Sequence, residues 1–172
     1  QAMQTELDRS FAALQFAEET PLYYLSYRVT DTERHDLSAT YGAISDENQS
    51  HDRVLNIDCR VGDYKLDNTH EIRGNYSYRG SGPPPSLPLP NDELAIRTII
   101  WRATDQAYRE AQESYTKVLT DDQVLVEKED TSADFSREEP HQYIGTEVAA
   151  SFDADAWKPR LRRISAIFKE YP

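Results

Sequence analysis

The chain has 172 residues, of which 38% are hydrophobic and 29% charged, and its formal net charge is −12. This length supports one sizeable core, so we expect a single domain over residues 1–172. The charge argues against nucleic acid and anionic membranes as partners, because their phosphates would repel it. No apolar run is long enough to span a membrane. We expect a soluble chain, but the sequence leaves the compartment open: cytoplasmic, or exported with an upstream signal peptide removed.

The first predicted elements are a helix and two short strands. Apolar residues at helical spacing predict a helix over residues 2–17, which Pro21 ends. Residues 22–30 and 37–44 each alternate apolar and polar side chains, as strands with one buried face do. The polar stretches after these two strands indicate a turn and an acidic loop, over residues 31–36 and 45–51.

The longest alternating stretch, RVLNIDCRVGDYKLDN over residues 53–68, predicts a long third strand. Every second residue from Leu55 to Val61 is apolar, and Cys59 on this face is expected to pack as a small hydrophobe. The alternation breaks at Gly62, where we expect a β-bulge. Three strands joined by short polar connections predict an antiparallel meander. Two weaker strand predictions fall within residues 69–81 and at residues 123–127.

The second half of the chain is mainly helical. The proline-rich residues 82–90 predict an extended connector, after which Asn91 or Asp92 offers an N-cap for a long helix. Asp153 caps a last helix, which tolerates Pro159 if this residue lies in the first turn. The apolar residues of the last helix share one face: Trp157, Leu161, Ile164, Ile167 and Phe168.

These patterns predict an α+β fold. We expect an antiparallel meander sheet of three or more long strands, packed against a long helix and one or two shorter terminal helices. The apolar stripe of the long helix is the natural cover for the buried face of the sheet.

No catalytic or metal-binding motif is present in the sequence. His70-Glu71 is the one His-Glu pair, and the HExxH and HExxxH patterns would place the second histidine at Gly74 or Asn75. No serine lies in a G-x-S-x-G elbow, and no glycine-rich stretch has the context of a phosphate loop. The other histidines fall in predicted turns or loops: His35, His51 and His141. The aspartates along the third strand indicate a solvated face: Asp58, Asp63 and Asp67.

Tyrosines are frequent around the predicted sheet and form the candidate interaction surface. Aromatic side chains stabilise cross-strand pairs and are also enriched at interfaces. Two interpretations therefore stay open, sheet packing and a surface for a peptide or protein partner. The candidates are Tyr23, Tyr24, Tyr27, Tyr41, Tyr76 and Tyr78.

Three segments are distinctive enough to suggest a family: RVGDYKLDN at residues 60–68, WRATDQAY at 101–108 and DFSREEP at 134–140. With the sequence around them, they resemble the amino-terminal region of a bacterial branch of the TldD/PmbA family. These proteins are zinc metallopeptidases related to the so-called modulators of DNA gyrase. The resemblance covers nearly the whole chain, although none of the three segments is a catalytic motif.

In that family the zinc-binding HExxxH helix lies beyond the amino-terminal domain, which helps to form the substrate chamber and the dimer. The resemblance therefore implies a non-catalytic amino-terminal part of a longer peptidase, with zinc in a downstream catalytic domain and no cofactor here. The implied partners are that catalytic domain, a second subunit in a homo- or heterodimer, and a peptide substrate. No catalytic or metal-binding residue is carried over to this chain.

Two other interpretations stay open. The chain could be a free-standing module that binds peptides or proteins through its tyrosine-rich sheet face, or a small enzyme that uses carboxylates and scattered histidines. The reading frame past Pro172 separates the peptidase interpretation from the binding module, and zinc uptake or hydrolysis by this chain alone would indicate the small enzyme. An excess of exposed Leu, Ile or Tyr in the structure would favour the interpretation that this chain is part of a longer protein.

Overall fold

The structure is a computed structural model that describes residues 1–17, 20–71, 83–124, 132–148 and 152–170, with only the backbone for residues 122–124. The described residues form six elements in chain order: α1 (Ala2–Leu14), β1 (Leu22–Thr40), β2 (Ala43–Val61), α2 (Glu93–Val124), α3 (Ala154–Ala166) and a 3-10 helix (Ile167–Glu170). None of the described helices is long and apolar enough to cross a membrane.

The sheet differs from the prediction. In the part of the chain that the structure describes it is a two-stranded antiparallel hairpin, so the predicted meander of three or more strands is wrong. β1 continues through the predicted turn, and β2 begins before the predicted acidic loop. The chain reverses at Tyr41 and Gly42, whose φ angles of 47° and 80° suit a two-residue hairpin turn. A two-stranded ribbon with water on both faces can consist of polar residues alone. The polar stretches at residues 31–36 and 45–51 therefore belong to the strands and do not mark their ends.

β2 ends at Val61, so the prediction of a strand through residue 68 with a bulge at Gly62 is also wrong. Gly62 has a φ of 102° and forms an isolated bridge with Asp67. A Cβ atom at Gly62 would lie 2.6 Å from the carbonyl oxygen of Leu66 and 2.7 Å from Cε2 of Tyr115. Both the backbone conformation and these close approaches require glycine.

The proline-rich segment lies beside β2 as a single short stretch of pairing. The Leu55 amide donates to the Pro85 carbonyl at 2.9 Å, and the Leu87 amide donates to the Arg53 carbonyl at 2.7 Å. Prolines lack the N–H group that a longer ladder would need, so the contact remains an isolated bridge.

The predicted helix caps are confirmed. The Asp92 carboxylate accepts the Ala95 amide at 3.0 Å before α2, and the Asp153 carboxylate accepts the Ala156 amide at 3.0 Å before α3. Pro159 lies in the second turn of α3 and not in the first, so the helix lacks one of its internal hydrogen bonds. Of the two weaker strand predictions, the one at residues 123–127 overlaps α2, and residues 72–81 and 125–127 lie outside the described residues.

Contacts divide the chain into two compact units. Unit 1 comprises Gln1–Thr30 and Arg53–Glu139, with α1, α2 and one half of each strand. Unit 2 comprises Asp31–Asp52 and Pro140–Pro172, with the other half of each strand and α3. Both strands therefore contribute to both units.

The buried hydrophobic side chains of the described chain all belong to unit 1. The first cluster joins Leu22, Leu25, Cys59 and Val61 of the strands to Tyr108 and Ala111 of α2, with side chains of α1 packed against it. The second cluster is Leu55, Leu87 and Ile100. The prediction that α2 covers the apolar face of the sheet is confirmed, and so is the packing of Cys59, which is 7% exposed.

Candidate interaction site

The loop over residues 62–71, which follows β2, is held by side chains that bond its backbone. The Asp63 carboxylate accepts the Lys65 amide at 2.7 Å, as in an Asx turn. The side-chain oxygen of Asn68 accepts the Val61 amide at 2.8 Å. These bonds satisfy backbone groups that no neighbouring strand reaches, and they give the loop one defined conformation.

Asp67 is the buried centre of this loop, with 0% of its surface exposed. Its carboxylate accepts a hydrogen bond from the Tyr23 hydroxyl, lies 3.2 Å from Nη1 of Arg60 and accepts the Thr69 amide at 2.6 Å. A carboxylate this deeply buried is tolerated because it is both paired and hydrogen-bonded. Burial, and then the adjacent Asp67 carboxylate, raise the pKa of Tyr23, so its hydroxyl stays protonated and donates.

Asp134 attaches a distant part of the chain to the same loop. One of its carboxylate oxygens accepts the Asp67 amide at 2.8 Å, and the other lies 2.6 Å from Nδ1 of His70. Asp134 is nearly buried and His70 is about one-third exposed, with side-chain exposures of 12% and 34%. This contact is an ion pair whenever the imidazole is protonated.

Aromatic rings cover the charged centre. The Phe135 ring lies 4.8 Å from the Tyr24 ring and 6.3 Å from the Tyr64 ring, between centroids. The guanidinium carbon of Arg60 lies 4.0 Å from the Phe135 centroid, a favourable cation–π distance. The Phe135 amide also donates to the Tyr64 carbonyl at 3.1 Å. Ring packing therefore shields the ion pair of Arg60 from water.

We call this cluster the buried lock: Tyr23, Arg60, Asp67, His70, Asp134 and Phe135. Its polar groups satisfy one another, and its rings close over them, so its chemistry is structural. It ties residues 60–68 to residues 134–140, which are two of the three distinctive segments of the sequence.

The six candidate tyrosines have different environments. Tyr23 belongs to the buried lock and Tyr24 packs beside it, and both are half-buried. The Tyr27 hydroxyl lies 2.6 Å from Oγ1 of Thr104 in α2, and burial raises the pKa of Tyr27. Tyr41, in the hairpin turn of unit 2, is 57% exposed. The remaining two, Tyr76 and Tyr78, lie outside the described residues.

Unit 2 exposes the kind of side chain that forms the core of unit 1, and unit 1 itself exposes five such residues: Phe16, Leu89, Leu94, Trp101 and Leu119. Nine large hydrophobic residues of the described part of unit 2 are exposed, and none is buried. They are Tyr41, Tyr143, Ile144, Val148, Phe152, Trp157, Ile164, Ile167 and Phe168. We call these nine residues the apolar surface of unit 2. Exposed large apolar side chains that adjoin one another are typical of interaction sites, so this set is the candidate interaction site.

α3 contacts the hairpin mainly through polar and small residues. The Gly42 amide donates to Oγ of Ser165 at 2.9 Å, and Nζ of Lys158 lies 2.8 Å from the Glu47 carboxylate. Hydrogen bonds to Glu47, and then to Asp155, raise the pKa of Lys158. The apolar face predicted for this helix is therefore largely exposed.

An open groove of about 280 Å³ does form between the hairpin of unit 2 and the start of α3. Its lining residues are His35, Leu37, Phe152, Trp157 and Leu161. The rings of His35 and Phe152 lie 5.4 Å apart. The groove is mostly apolar, with the imidazole as its polar group.

Of the three histidines predicted in turns or loops, only His141 lies outside the described helices and strands. His35 and His51 lie in the strands, where their Nε2 atoms are 3.3 Å from the Glu33 carboxylate and 2.6 Å from the Asp31 carboxylate. Within the described ranges, no three His, Cys, Asp or Glu side chains come together to hold a metal ion. The described residues therefore do not fit a zinc site.

Cys59 is equally unsuited to nucleophilic chemistry. Burial, and then the nearby Asp58 carboxylate, raise the pKa of its thiol to about 12. The thiol is therefore protonated at neutral pH, and the thiolate that would react is absent.

The apolar–polar periodicity of the sequence did not predict the buried lock. Alternation and composition indicate solvated positions for Asp67 and His70, but Asp67 is fully buried and His70 bonds Asp134. Asp67 and Asp134 are 67 positions apart, and no local spacing relates them. The one available signal was the distinctiveness of the two segments that contain them.

Comparisons with protein-family models, with curated proteins and with solved structures find no match. The resemblance to TldD/PmbA proteins therefore rests on three segments of sequence. Residues 60–68 and 134–140 meet in the buried lock, whereas residues 101–108 lie on α2, where Tyr108 belongs to the core.

Proposed function

We propose that this chain is the non-catalytic amino-terminal domain of a TldD/PmbA-like metallopeptidase, contributing to the substrate chamber and to dimer assembly. The observation that carries the proposal is the apolar surface of unit 2. Nine exposed large apolar side chains in one unit favour a domain that another part of the protein covers. In this proposal a downstream catalytic domain holds the zinc ion and hydrolyses the peptide.

The buried lock supports the same proposal. A satisfied network of buried charges and rings gives a rigid scaffold, which a domain needs if it is to position a neighbour or form part of a chamber wall. Two of the three distinctive segments meet in this network, as expected if they serve an accessory structural role.

A second candidate is a free-standing module that binds peptides or proteins. The apolar surface of unit 2 also favours this role, if the covering partner is a separate chain. The tyrosine-rich sheet face gives it less support, because Tyr23, Tyr24 and Tyr27 are half-buried against other side chains of unit 1.

The reading frame beyond Pro172 separates the two candidates. We expect it to continue into an HExxxH helix, and the longer protein should bind zinc and hydrolyse peptides. Replacing the glutamate of that motif with glutamine should abolish hydrolysis and retain the metal. Residues 1–172 alone are the matched control and should show neither activity nor zinc in elemental analysis. A frame that stops at Pro172, or a longer protein without zinc, would contradict the proposal.

A further inference from the structure

The outer edge of β1 in unit 2 has no neighbouring strand in the part of the chain that the structure describes. Apart from the bonds between the two strands, residues 32–40 form no backbone hydrogen bond with a described residue. These nine residues include no proline and no lysine, which are common protections of a free edge. The edge can therefore accept a further strand through its outward N–H and C=O groups.

Two opposite charges lie close together on this edge. Arg34 and Asp36 are exposed, and neither forms an ion pair with a described residue. His35, which lies between them, lines the open groove together with Leu37. Because successive side chains of a strand point to opposite faces, Arg34 and Asp36 lie on the face away from the groove. Both charges are therefore available to a partner.

We infer that two copies of this chain pair antiparallel through the β1 edges of their hairpins, about a two-fold axis at His35. In this register Arg34 of one copy lies directly opposite Asp36 of the other, and the symmetry repeats the pair. Opposite charges at directly opposed positions stabilise antiparallel strands. The inference rests on the proposed function only in naming a surface for its dimer, and it needs no downstream domain.

The distribution of charge selects this edge. Asp31–Asp52 hold six acidic side chains and one basic side chain, which is Arg34. The outer edge of β2 in unit 2, residues 43–52, has three acidic residues and neither lysine nor arginine. Two such edges would bring together negative charge alone, so the β1 edge is the one that fits a second copy.

The same charges select the register. A two-fold axis between antiparallel strands passes through one residue, which then lies opposite its own copy. An axis at Arg34 would place two arginines opposite each other, and an axis at Asp36 would place two aspartates opposite each other. The axis at His35 instead gives two arginine–aspartate pairs.

Single charge reversals in residues 1–172 test the pairing. Arg34→Glu places a glutamate opposite the partner's Asp36, and Asp36→Arg places an arginine opposite the partner's Arg34. We expect each variant to raise the dimer dissociation constant about tenfold or more in sedimentation equilibrium, because two attractive pairs become two repulsive ones. Arg162→Glu is the matched control, since Arg162 is an exposed arginine on α3 of the same unit, and it should change the constant much less.

An equimolar mixture of Arg34→Glu and Asp36→Arg chains is the sharpest test of the register. In a mixed dimer, the introduced glutamate lies opposite the introduced arginine, and the native Asp36 of the first chain lies opposite the native Arg34 of the second. Both pairs are then attractive. We expect the mixture to dimerise about as tightly as the unaltered chain, and circular dichroism should show the same secondary structure for all variants.

Three results would overturn the inference. Residues 1–172 could stay monomeric at every concentration, or form a dimer that Arg34→Glu leaves unchanged, in which case another surface holds the two copies. A mixture that stays monomeric would exclude the register at His35. None of these results affects zinc content or hydrolysis by the longer protein, which test the peptidase proposal separately, and a longer protein without zinc would leave the paired hairpins standing.

Discussion

Units 1 and 2 share the same two strands but use them differently. In unit 1 the strands alternate apolar and polar residues, and their apolar face is buried under α1 and α2. In unit 2 the strands are mostly polar, with a few half-buried apolar residues near the turn, and the large apolar side chains lie exposed, mostly on α3 and the segment before it.

The difference shows that strand geometry and core formation are separable. A tight turn and backbone hydrogen bonds suffice to continue a hairpin, whereas a stable core requires a second layer that covers the apolar face. Unit 1 contains that layer. In unit 2, α3 contacts the hairpin but most of the large apolar residues stay exposed, which is the basis for proposing unit 1 as the scaffold and unit 2 as the interaction surface.

The largest expected effect comes from removing a core side chain of unit 1. Leu55 is 0% exposed, and we expect Leu55→Ala to lower the free energy of unfolding by about 2–5 kcal/mol through lost burial and a cavity. The matched change in unit 2, Ile164→Ala, should stay within about 0.5 kcal/mol, because Ile164 is 54% exposed. Urea denaturation of both variants checks the comparison, and equal losses would mean that unit 2 has a core of its own.

The buried lock should be nearly as sensitive. Asp67→Ala removes the buried partner of Arg60 and the acceptor for Tyr23, and we expect a loss of about 3 kcal/mol. Asp46→Ala, at an exposed position of the unit 2 hairpin, is the control and should change stability by less than about 0.5 kcal/mol. A loss from Asp67→Ala as small as that of the control would contradict the structural role of the lock.

Two glycines allow the same comparison for the backbone. Gly62→Ala forces a positive φ on alanine and a clash with Leu66, so we expect a loss of about 1–3 kcal/mol. Gly145→Ala in unit 2 meets nothing closer than 3.7 Å and should be neutral within about 0.5 kcal/mol. Thermal melts would distinguish the two variants, and a neutral Gly62→Ala would show that the loop after β2 can relax.

The smallest expected effect is a pH dependence confined to unit 1. Burial opposes the ionisation of Glu6, but hydrogen bonds from Arg97 and Arg9 outweigh it and lower the pKa of Glu6 below 4.5. The stabilisation of the folded state by ionised Glu6 is therefore present above pH 4.5, and it is lost as the pH falls through the folded-state pKa of Glu6. As the pH is lowered from about 5 to about 3, the urea midpoint of unfolding should decrease, and Glu6→Gln should make this decrease smaller. Glu113→Gln, at an exposed position on α2, should leave the fall unchanged.

Local sequence patterns located the helices and their caps but not all of their ends, since α1 ends at Leu14 and α2 covers the start of the strand predicted at residues 123–127. Asp92 and Asp153 were recognisable as caps because their side chains bond amides three residues away. Alternation located the strands of unit 1, where one face is buried, whereas the single strand predicted over residues 37–44 is wrong, because the turn at Tyr41 and Gly42 divides it. Residues 31–36 and 45–51 contain no apolar alternation, so the sequence could not distinguish an exposed ribbon from a turn and a loop.

The candidate sites were less predictable than the helices. The buried lock depends on a contact between Asp67 and Asp134, and nothing in either segment indicates the other. The apolar face of α3 was visible in the sequence, but periodicity gives the same pattern for a covered face and an exposed one.

The sequence by itself determined the positions of the helices, their caps and the apolar face that the strands bury in unit 1. All of these follow from steric and hydrogen-bonding preferences that act within a few residues. Only the tertiary structure decided the pairing of the two long strands, the burial of Asp67 and the exposure of the apolar face of α3. Those outcomes depend on which distant surfaces meet, because burial is a property of the assembled chain and not of any one segment.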